Sequence, residues 1–390
     1  MDYLAQSFSV RFEYRVYFTT GIFEADNESL SSFLKERSVP EAVQKILFVI
    51  DQGVSDKHPR LQQGISQYFK RHPGVEVVKE LLIIPGGEEA KNNPAYFDQI
   101  TKAVHLHGID RHSYIIAVGG GSVLDLAGYA ASVSHRGINL IRIPTTVLSQ
   151  NDSGIGVKNG INQFGKKNFL GTFSPPVAVF NDDRFLSSLD QRNWRSGIAE
   201  AVKVALIKDA AFFAWIEKHT EDLVNRDQET MNYLIRHCAD LHLKHIGGAD
   251  PFEKGSSRPL DFGHWSAHKL EQLTHFEVLH GEAVAMGIAL DTLYSSLAGY
   301  LSPEKADRVL RVLINLGFEI THPLMQIKDQ HSPVLSGLQE FREHLGGRLT
   351  IMLMTEIGVG KEVFEIDTAL LIRAGKELSS YSTRQTMHHL

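Results

Sequence analysis

Three segments lying far apart in the sequence carry residues able to hold a divalent metal. Gly263-His264-Trp265-Ser266-Ala267-His268 sets two imidazoles at i and i+4, one above the other on a helix face. His280 opens another helical pattern at His280-Gly281-Glu282, and Glu200 lies inside a third, Gly197-Ile198-Ala199-Glu200-Ala201-Val202-Lys203. One glutamate and two histidines make a three-ligand set with an open position, as catalytic zinc has. Any one of these histidines, taken alone, reads more simply as a capped or surface residue. Glu200 stands apart because the inner face of its helix is otherwise small and apolar, where an unpaired carboxylate is expensive. The 390 residues include 19 histidines and a single cysteine, Cys238, so metal ligands must be nitrogen and oxygen. That cysteine count also excludes an internal disulfide and points to a reducing compartment. His58, His105, His107, His237 and the terminal pair are read as surface residues.

Two further patterns suit anionic ligands. Gly119-Gly120-Gly121-Ser122-Val123-Leu124-Asp125 follows a strand pattern and opens a helical one. Glycines there admit a pyrophosphate to the backbone, and the new helix offers unpaired N–H groups. A tight strand–helix turn explains the triplet equally well, and the acid expected after such a turn is found before it, at Asp51. Lys158, Lys166, Lys167, Lys203 and Arg136 stand in or near polar loops, and convergent cations of this kind would hold a phosphate.

The elements that must position these residues divide the chain in two. Lys45–Ile50, Glu80–Ile84, Tyr114–Val118 and Asn139–Ile143 are short apolar runs stopped by Asp, Pro or Gly, as strands buried on both faces are. Helical stretches such as Leu61–Arg71 and Asn93–His107 lie between them. The pattern predicts an α/β doubly wound parallel sheet over 1–185, whose ligands bind beyond the strands' carboxyl ends. From 186 to 390 long helical patterns predominate: Trp194–Lys208, Ala211–Leu223, Glu229–Lys244, Pro259–Leu273 and Gly281–Ala298. They predict a mostly α-helical second domain. The polar tail after Gly375 is expected to be poorly ordered. A formal charge of −6 argues against nucleic acid or an anionic membrane as partner. No apolar stretch approaches a bilayer span, and the N-terminus lacks a signal-peptide core, so a cytoplasmic protein is expected.

Taken in order, these motifs are more specific than any of them alone. Pro85-Gly86-Gly87-Glu88-Glu89-Ala90-Lys91, Gly119–Asp125, His135-Arg136-Gly137, Pro144-Thr145-Thr146, Gln150–Asn162, Gly165–Asn168, Gly197–Lys203, Leu260–His268 and Leu279–Ala285 follow one another along the chain. The series resembles the sugar phosphate cyclase superfamily, of which 3-dehydroquinate synthase is the best-known member. The resemblance implies NAD on the N-terminal domain and one divalent metal, zinc or cobalt, on the helical domain. It implies Glu200, His264 and His280 as metal ligands. It gives NAD contacts to Asp51, Glu88, Lys91, Gly120, Gly121, Asp125, Thr145, Thr146, Lys158 and Lys167. Catalytic roles fall to Asp152, Lys158, Lys203 and His268, and substrate contacts to Arg136, Asn168, Asp261 and Arg342. The partner implied is a small phosphorylated sugar, and a homodimer is expected in which Arg136 reaches the neighbouring subunit's site.

The sequence departs from 3-dehydroquinate synthases where those enzymes clamp a substrate carboxylate. The clamp's Arg position is Ser257, its Lys position is Leu243, and Asp261 replaces the Asn of Leu-Asn-Phe-Gly-His. Lys244 and Arg258 stand one step away, and one step along a helix is a turn of about 100°. The C-terminal Asp-Lys-Lys motif is absent, and Phe341-Arg342-Glu343-His344-Leu345-Gly346-Gly347 occupies its region. The expected substrate is therefore a neutral C7 ketose phosphate, sedoheptulose 7-phosphate, and the product a valiolone-type cyclitol. The alternatives are 3-dehydroquinate synthase itself and a metal-dependent NAD alcohol dehydrogenase, whose glycine turn Ser122 matches.

Overall fold

The computed structural model describes residues 1–40, 42–248, 250–252, 259–344 and 349–388. The chain forms two compact units, one of Met1–Pro144 with Val157–Asp182, the other of Thr145–Gly156 with Asp183–Leu390. The short stretch 145–156 thus groups with the helical unit, although the sequence pattern assigns it to the first.

In the first unit β1 (Arg15–Thr19), β2 (Lys45–Asp51), β3 (Glu76–Val77), β4 (Leu82–Ile84), β5 (Tyr114–Gly119), β6 (Asn139–Pro144) and β9 (Ala178–Asp182) form one sheet. Its order is β1-β9-β6-β5-β2-β3, with β4 also on β2, and every pairing is parallel. All six residues of β5 are buried, which explains why these strands read as continuous apolar runs. The helices Pro94–His107 and Gly121–Val133 cover one face, setting Ile100, Val104, Leu124 and Ala127 against Leu47, Val49, Ile115 and Ala117. Local chemistry fixes the ends of the first: Asn93 accepts a hydrogen bond from the Ala95 amide, Pro94 follows, and Gly108 leaves in the left-handed region. The connections run in opposite directions from β2 and β5, so the switch point of the sheet lies at their carboxyl ends. β7 (Lys158–Gln163) and β8 (Lys166–Phe173) form a separate antiparallel hairpin.

The second unit is mostly helical, with one antiparallel strand pair, β10 (Ile351–Glu356) and β11 (Val359–Val363). Its functional segments lie on the helices Gln191–Lys208, Gln228–Ile246, His264–Leu273 and His280–Leu297, and on the widened turn Ser149–Ser153. Asp190 and Asp227 cap the first two by accepting the Asn193 and Thr230 amides. Two expectations need correction. The single helix expected over Ala211–Leu223 is two, Ala210–Lys218 and Thr220–Val224. The helix expected over Pro259–Leu273 is the short turn Pro259–Asp261 followed, after Gly263, by a helix over His264–Leu273. A helix also spans Thr368–His388, with Leu371, Ala374 and Leu378 buried. No helix among the described residues is long and apolar enough to cross a membrane.

Candidate active site

In the helical unit four segments bring their charge to one place. Glu200 is 0% exposed, and its Oε1 lies 3.2 Å from His280 Nε2 and 3.6 Å from His264 Nε2. His264, His268 and His280 each offer a ring nitrogen within 4.8 Å of the others. The tautomers of the two nearer rings follow from their other partners. His264 Nδ1 faces the Phe262 carbonyl at 3.1 Å, and His280 Nδ1 faces buried Glu271 Oε2 at 3.1 Å. Both acceptors take an Nδ1–H, which leaves each Nε2 facing Glu200. His280 is placed by close backbone contact. A Cβ on Gly281 would lie 1.9 Å from the Ser196 carbonyl oxygen, and the Gly281 amide donates to Ser196 Oγ at 3.1 Å.

Lys203, one helical turn after Glu200, is paired with it, and its Nζ also lies 3.9 Å from Asp152 Oδ2. Burial pushes the Glu200 carboxyl up, but Lys203 and His264 outweigh it and hold the group well below the usual carboxylate range. Burial works against the Lys203 ammonium as well, yet Glu200, Asp152 and Asp261 keep its pKa above the ordinary lysine value. Asp152 is likewise lowered: Lys203 and His242 offset the effects of burial and of Glu200. The Cys238 thiol is buried, and its pKa is driven well up by that burial.

Both Glu200 oxygens are buried with no hydrogen-bonded partner of proper geometry. A buried carboxylate facing the Nε2 atoms of two imidazoles fits a borderline divalent cation, for which oxygen and nitrogen donors are apt.

In the α/β unit the polar residues collect at the switch point and beside the hairpin. Asp51 ends β2 and accepts the Gly53 amide at 2.8 Å. Burial raises its pKa, while the amides of Gly53, Gly120 and Val54 pull the other way. Asp51 is thereby tied to the glycine turn that precedes the Gly121–Val133 helix. Lys91 is 4% exposed and donates to Asp125 Oδ2 at 2.9 Å and to Asn168 Oδ1. Glu88 accepts from Asn162 at 2.8 Å and lies 3.5 Å from Lys167 Nζ, and Asn162 in turn takes the Asn168 amide at 2.8 Å.

The remaining sequence-selected residues are more scattered. Lys158 opens β7 and is exposed, as are Arg136, in a left-handed turn at φ 63, and Arg342. Thr145 is buried, and Thr146 Oγ1 lies 2.9 Å from Ser149 Oγ in the helical unit. Asp261 ends the short turn Pro259–Asp261, near enough to Lys203 to favour its charge. Ser257 and Arg258, like Leu345, Gly346 and Gly347, lie outside the described residues. Three histidines are placed otherwise than the surface reading expects: His237 is half-buried against Phe212 and 3.0 Å from Asp209, and His58 and His107 are half-buried as well. The side chains of the terminal pair lie outside the described residues. Sequence reasoning also missed two partners. His242 Nδ1 lies 2.9 Å from Asp152 Oδ1, and nothing in the pattern separates this histidine from its neighbours His237 and His245. Arg142 is 0% exposed and donates to the Lys158 carbonyl at 2.9 Å and to Asn159 Oδ1 at 2.6 Å, tying the hairpin to β6. A cation inside an apolar strand run was the available signal for it.

A doubly wound sheet with a glycine turn at its switch point, and a helical unit with a Glu–His–His cluster, define a dehydroquinate synthase-like protein. Comparison with known proteins agrees. The family model for the 3-dehydroquinate synthase N-terminal domain matches residues 81–196, and that for the C-terminal domain matches 197–336. The 3-dehydroquinate synthase of Dictyoglomus turgidum is 35% identical over 326 residues, covering 81% of this chain and 90% of that protein. Among solved structures, the chain is similar to the 2-epi-5-epi-valiolone synthase ValA from Streptomyces hygroscopicus subsp. jinggangensis, with NAD+ and Zn2+ bound. The TM-score is 0.86 at 29% identity, over 97% of this chain and 100% of ValA. A 2-deoxy-scyllo-inosose synthase complexed with carbaglucose-6-phosphate, NAD+ and Co2+ shares the fold, with TM-score 0.76 at 23% identity over 93% and 96% of the two chains. The chain belongs to the 3-dehydroquinate synthase family, within the sugar phosphate cyclase superfamily.

Proposed function

We propose that this cyclase acts on a neutral C7 ketose phosphate, sedoheptulose 7-phosphate, and releases phosphate to give a valiolone-type cyclitol. The observation that carries the reading is the placement of Lys244. It is the cation that a one-residue shift would bring into a carboxylate clamp, but its side chain is 70% exposed and paired with Asp240 at 2.6 Å. Two residues earlier, about 200° around the helix, His242 faces Asp152 instead. Asp261 adds negative charge beside Lys203, which disfavours a substrate carboxylate there and suits a hydroxymethyl donor. The likeness to ValA supports the same substrate class. The 35% identity to a 3-dehydroquinate synthase favours the second reading, in which the heptulosonate phosphate of the shikimate pathway is the substrate.

In this reading Glu200, His264 and His280 hold the metal, and Asp51, Glu88, Lys91, Gly120, Gly121, Asp125, Thr145, Thr146, Lys158 and Lys167 serve NAD. When bound, the metal supplies Lewis acidity toward vicinal hydroxyls, and NAD accepts and returns one hydride, so no net redox occurs. Lys203 keeps a fixed positive charge beside the oxygen that loses its proton. Asp152 orients that ammonium. His268 hydrogen-bonds the leaving phosphate or relays its proton. Lys158, Asn168 and Arg342 bind substrate oxygens, and Arg136 serves the site of a second copy of the chain. With those groups bound, phosphate would leave by elimination, and ring opening followed by an intramolecular aldol addition would close the carbocycle.

Phosphate release by the purified protein with NAD+ and Zn2+ or Co2+ tests the reading. Turnover of sedoheptulose 7-phosphate is expected. Turnover of the heptulosonate phosphate alone would establish the second reading, and net NADH accumulation with simple alcohols would reject both in favour of a dehydrogenase.

A further inference from the structure

His264 enters its helix through a junction of two backbones. Gly263 has φ +77, and a Cβ on it would stand 2.6 Å from the Ile288 amide nitrogen. On the other side, a Cβ on Gly287 would stand 1.9 Å from the Gly263 carbonyl oxygen. The first turn of the His264–Leu273 helix therefore rests directly on the His280–Leu297 helix, with no side chain between them.

One turn beyond Gly287 comes Asp291, which is 1% exposed. Its Oδ2 accepts the Gly263 amide at 3.0 Å and its Oδ1 accepts Trp265 Nε1 at 2.9 Å. One carboxylate thus holds the residues on either side of His264. Trp265 is 2% exposed, so its indole has little freedom to find another acceptor. Among the described residues no lysine or arginine pairs with Asp291. A buried acid without a cation is costly, and none of the steps above uses this one.

We propose that Asp291 is a positioning residue for the metal centre: by holding Gly263 and Trp265 it fixes the direction in which His264 presents Nε2. The proposal rests on the metal-centre reading above. Partners that orient metal-binding histidines are generally worth about 10–100-fold in affinity. The effect here passes through the ligand's two chain neighbours and belongs at the lower end of that range.

The test uses Asp291→Asn and Trp265→Phe, the second of which removes one donor while keeping Asp291 and most of the ring volume. Zn2+ affinity is measured by competition with a chromophoric chelator, and the visible spectrum of the Co2+-loaded protein reports ligand geometry. Roughly tenfold weaker Zn2+ binding and a shifted Co2+ spectrum are expected for both variants. A purely structural role would lower the unfolding midpoint of the metal-free protein without changing either readout in the folded protein, and that result overturns the proposal. If Asp291→Asn does not fold, Trp265→Phe decides by the same two measurements. Wild-type protein that binds neither Zn2+ nor Co2+ would reject the metal-centre reading itself, and the proposal with it.

Discussion

At the carboxyl ends of β2 and β5 the polar groups satisfy one another, whereas in the helical unit they do not. Asp51 is met by backbone amides, Lys91 by Asp125 and Asn168, and Glu88 by Asn162 and Lys167. Glu200 is more deeply buried and is paired with Lys203, yet neither of its oxygens makes a hydrogen bond of proper geometry, and the Nε2 atoms of two histidines face it. The first arrangement is complete as the chain folds it. The second gathers nitrogen and oxygen donors around a buried ion pair, an arrangement that a divalent cation would complete, so the two regions should respond differently to loss of a partner.

The largest contrast is expected between two buried lysines. Lys203→Met leaves Glu200 and Asp152 without their cation, and breaking such a pair costs about 3–5 kcal/mol. Denaturant unfolding of the metal-free variant should show that loss, with part of it recovered when Zn2+ is added. Metal itself comes next. At a thousand times its dissociation constant Zn2+ should stabilise the wild type by about 4 kcal/mol. A calorimetric scan of Glu200→Gln should show almost none of this gain, and an equal gain in that variant would remove Glu200 from the ligand set.

Acidity should separate the regions as well. Burial pushes Asp291 up to about 7, opposed by Trp265 and the Gly263 amide, while Asp51 rises under burial against three opposing amides. A carboxyl raised above its unfolded value of about 3.9 contributes stability below that value and loses it as pH rises through the folded one. Between about pH 4 and pH 8 metal-free wild type should therefore lose stability relative to Asp291→Asn, by at most about 4 kcal/mol. A flat difference across that window would mean the buried carboxyl does not titrate there. The smallest effect is expected at the switch-point cluster, where Asp125 and Asn168 remain near the surface after Lys91→Met. About 1–2 kcal/mol of NAD+ affinity should be lost there, measurable by titration calorimetry, with little change in Zn2+ binding.

Much of the first unit was legible because its information is local. An apolar run stopped by glycine or proline is a buried parallel strand whether or not its neighbours are known, and Tyr114–Gly119, followed by the glycine turn, appears where the pattern places it. The break at His219 was not legible, since both flanking helices continue one apolar face. Nor was the helix over Thr368–His388, whose buried Leu371, Ala374 and Leu378 are separated by mostly polar residues. In the helical unit the sequence could nominate His264 and His268 by their spacing and Glu200 by its apolar surroundings. It could not single out His242, because Asp152 lies 90 residues away.

The sequence by itself determined the two-part layout, the phosphate-suited glycine turn and the family, since each depends on residue order and short-range periodicity. Only the tertiary structure decided which side of its helix Lys244 occupies, that His242 meets Asp152, and that Asp291 holds both neighbours of His264. The last of these follows from two helices packed closely enough that Gly263 and Gly287 meet backbone to backbone. At such distances the rotation of a helix, rather than its existence, decides which charges meet.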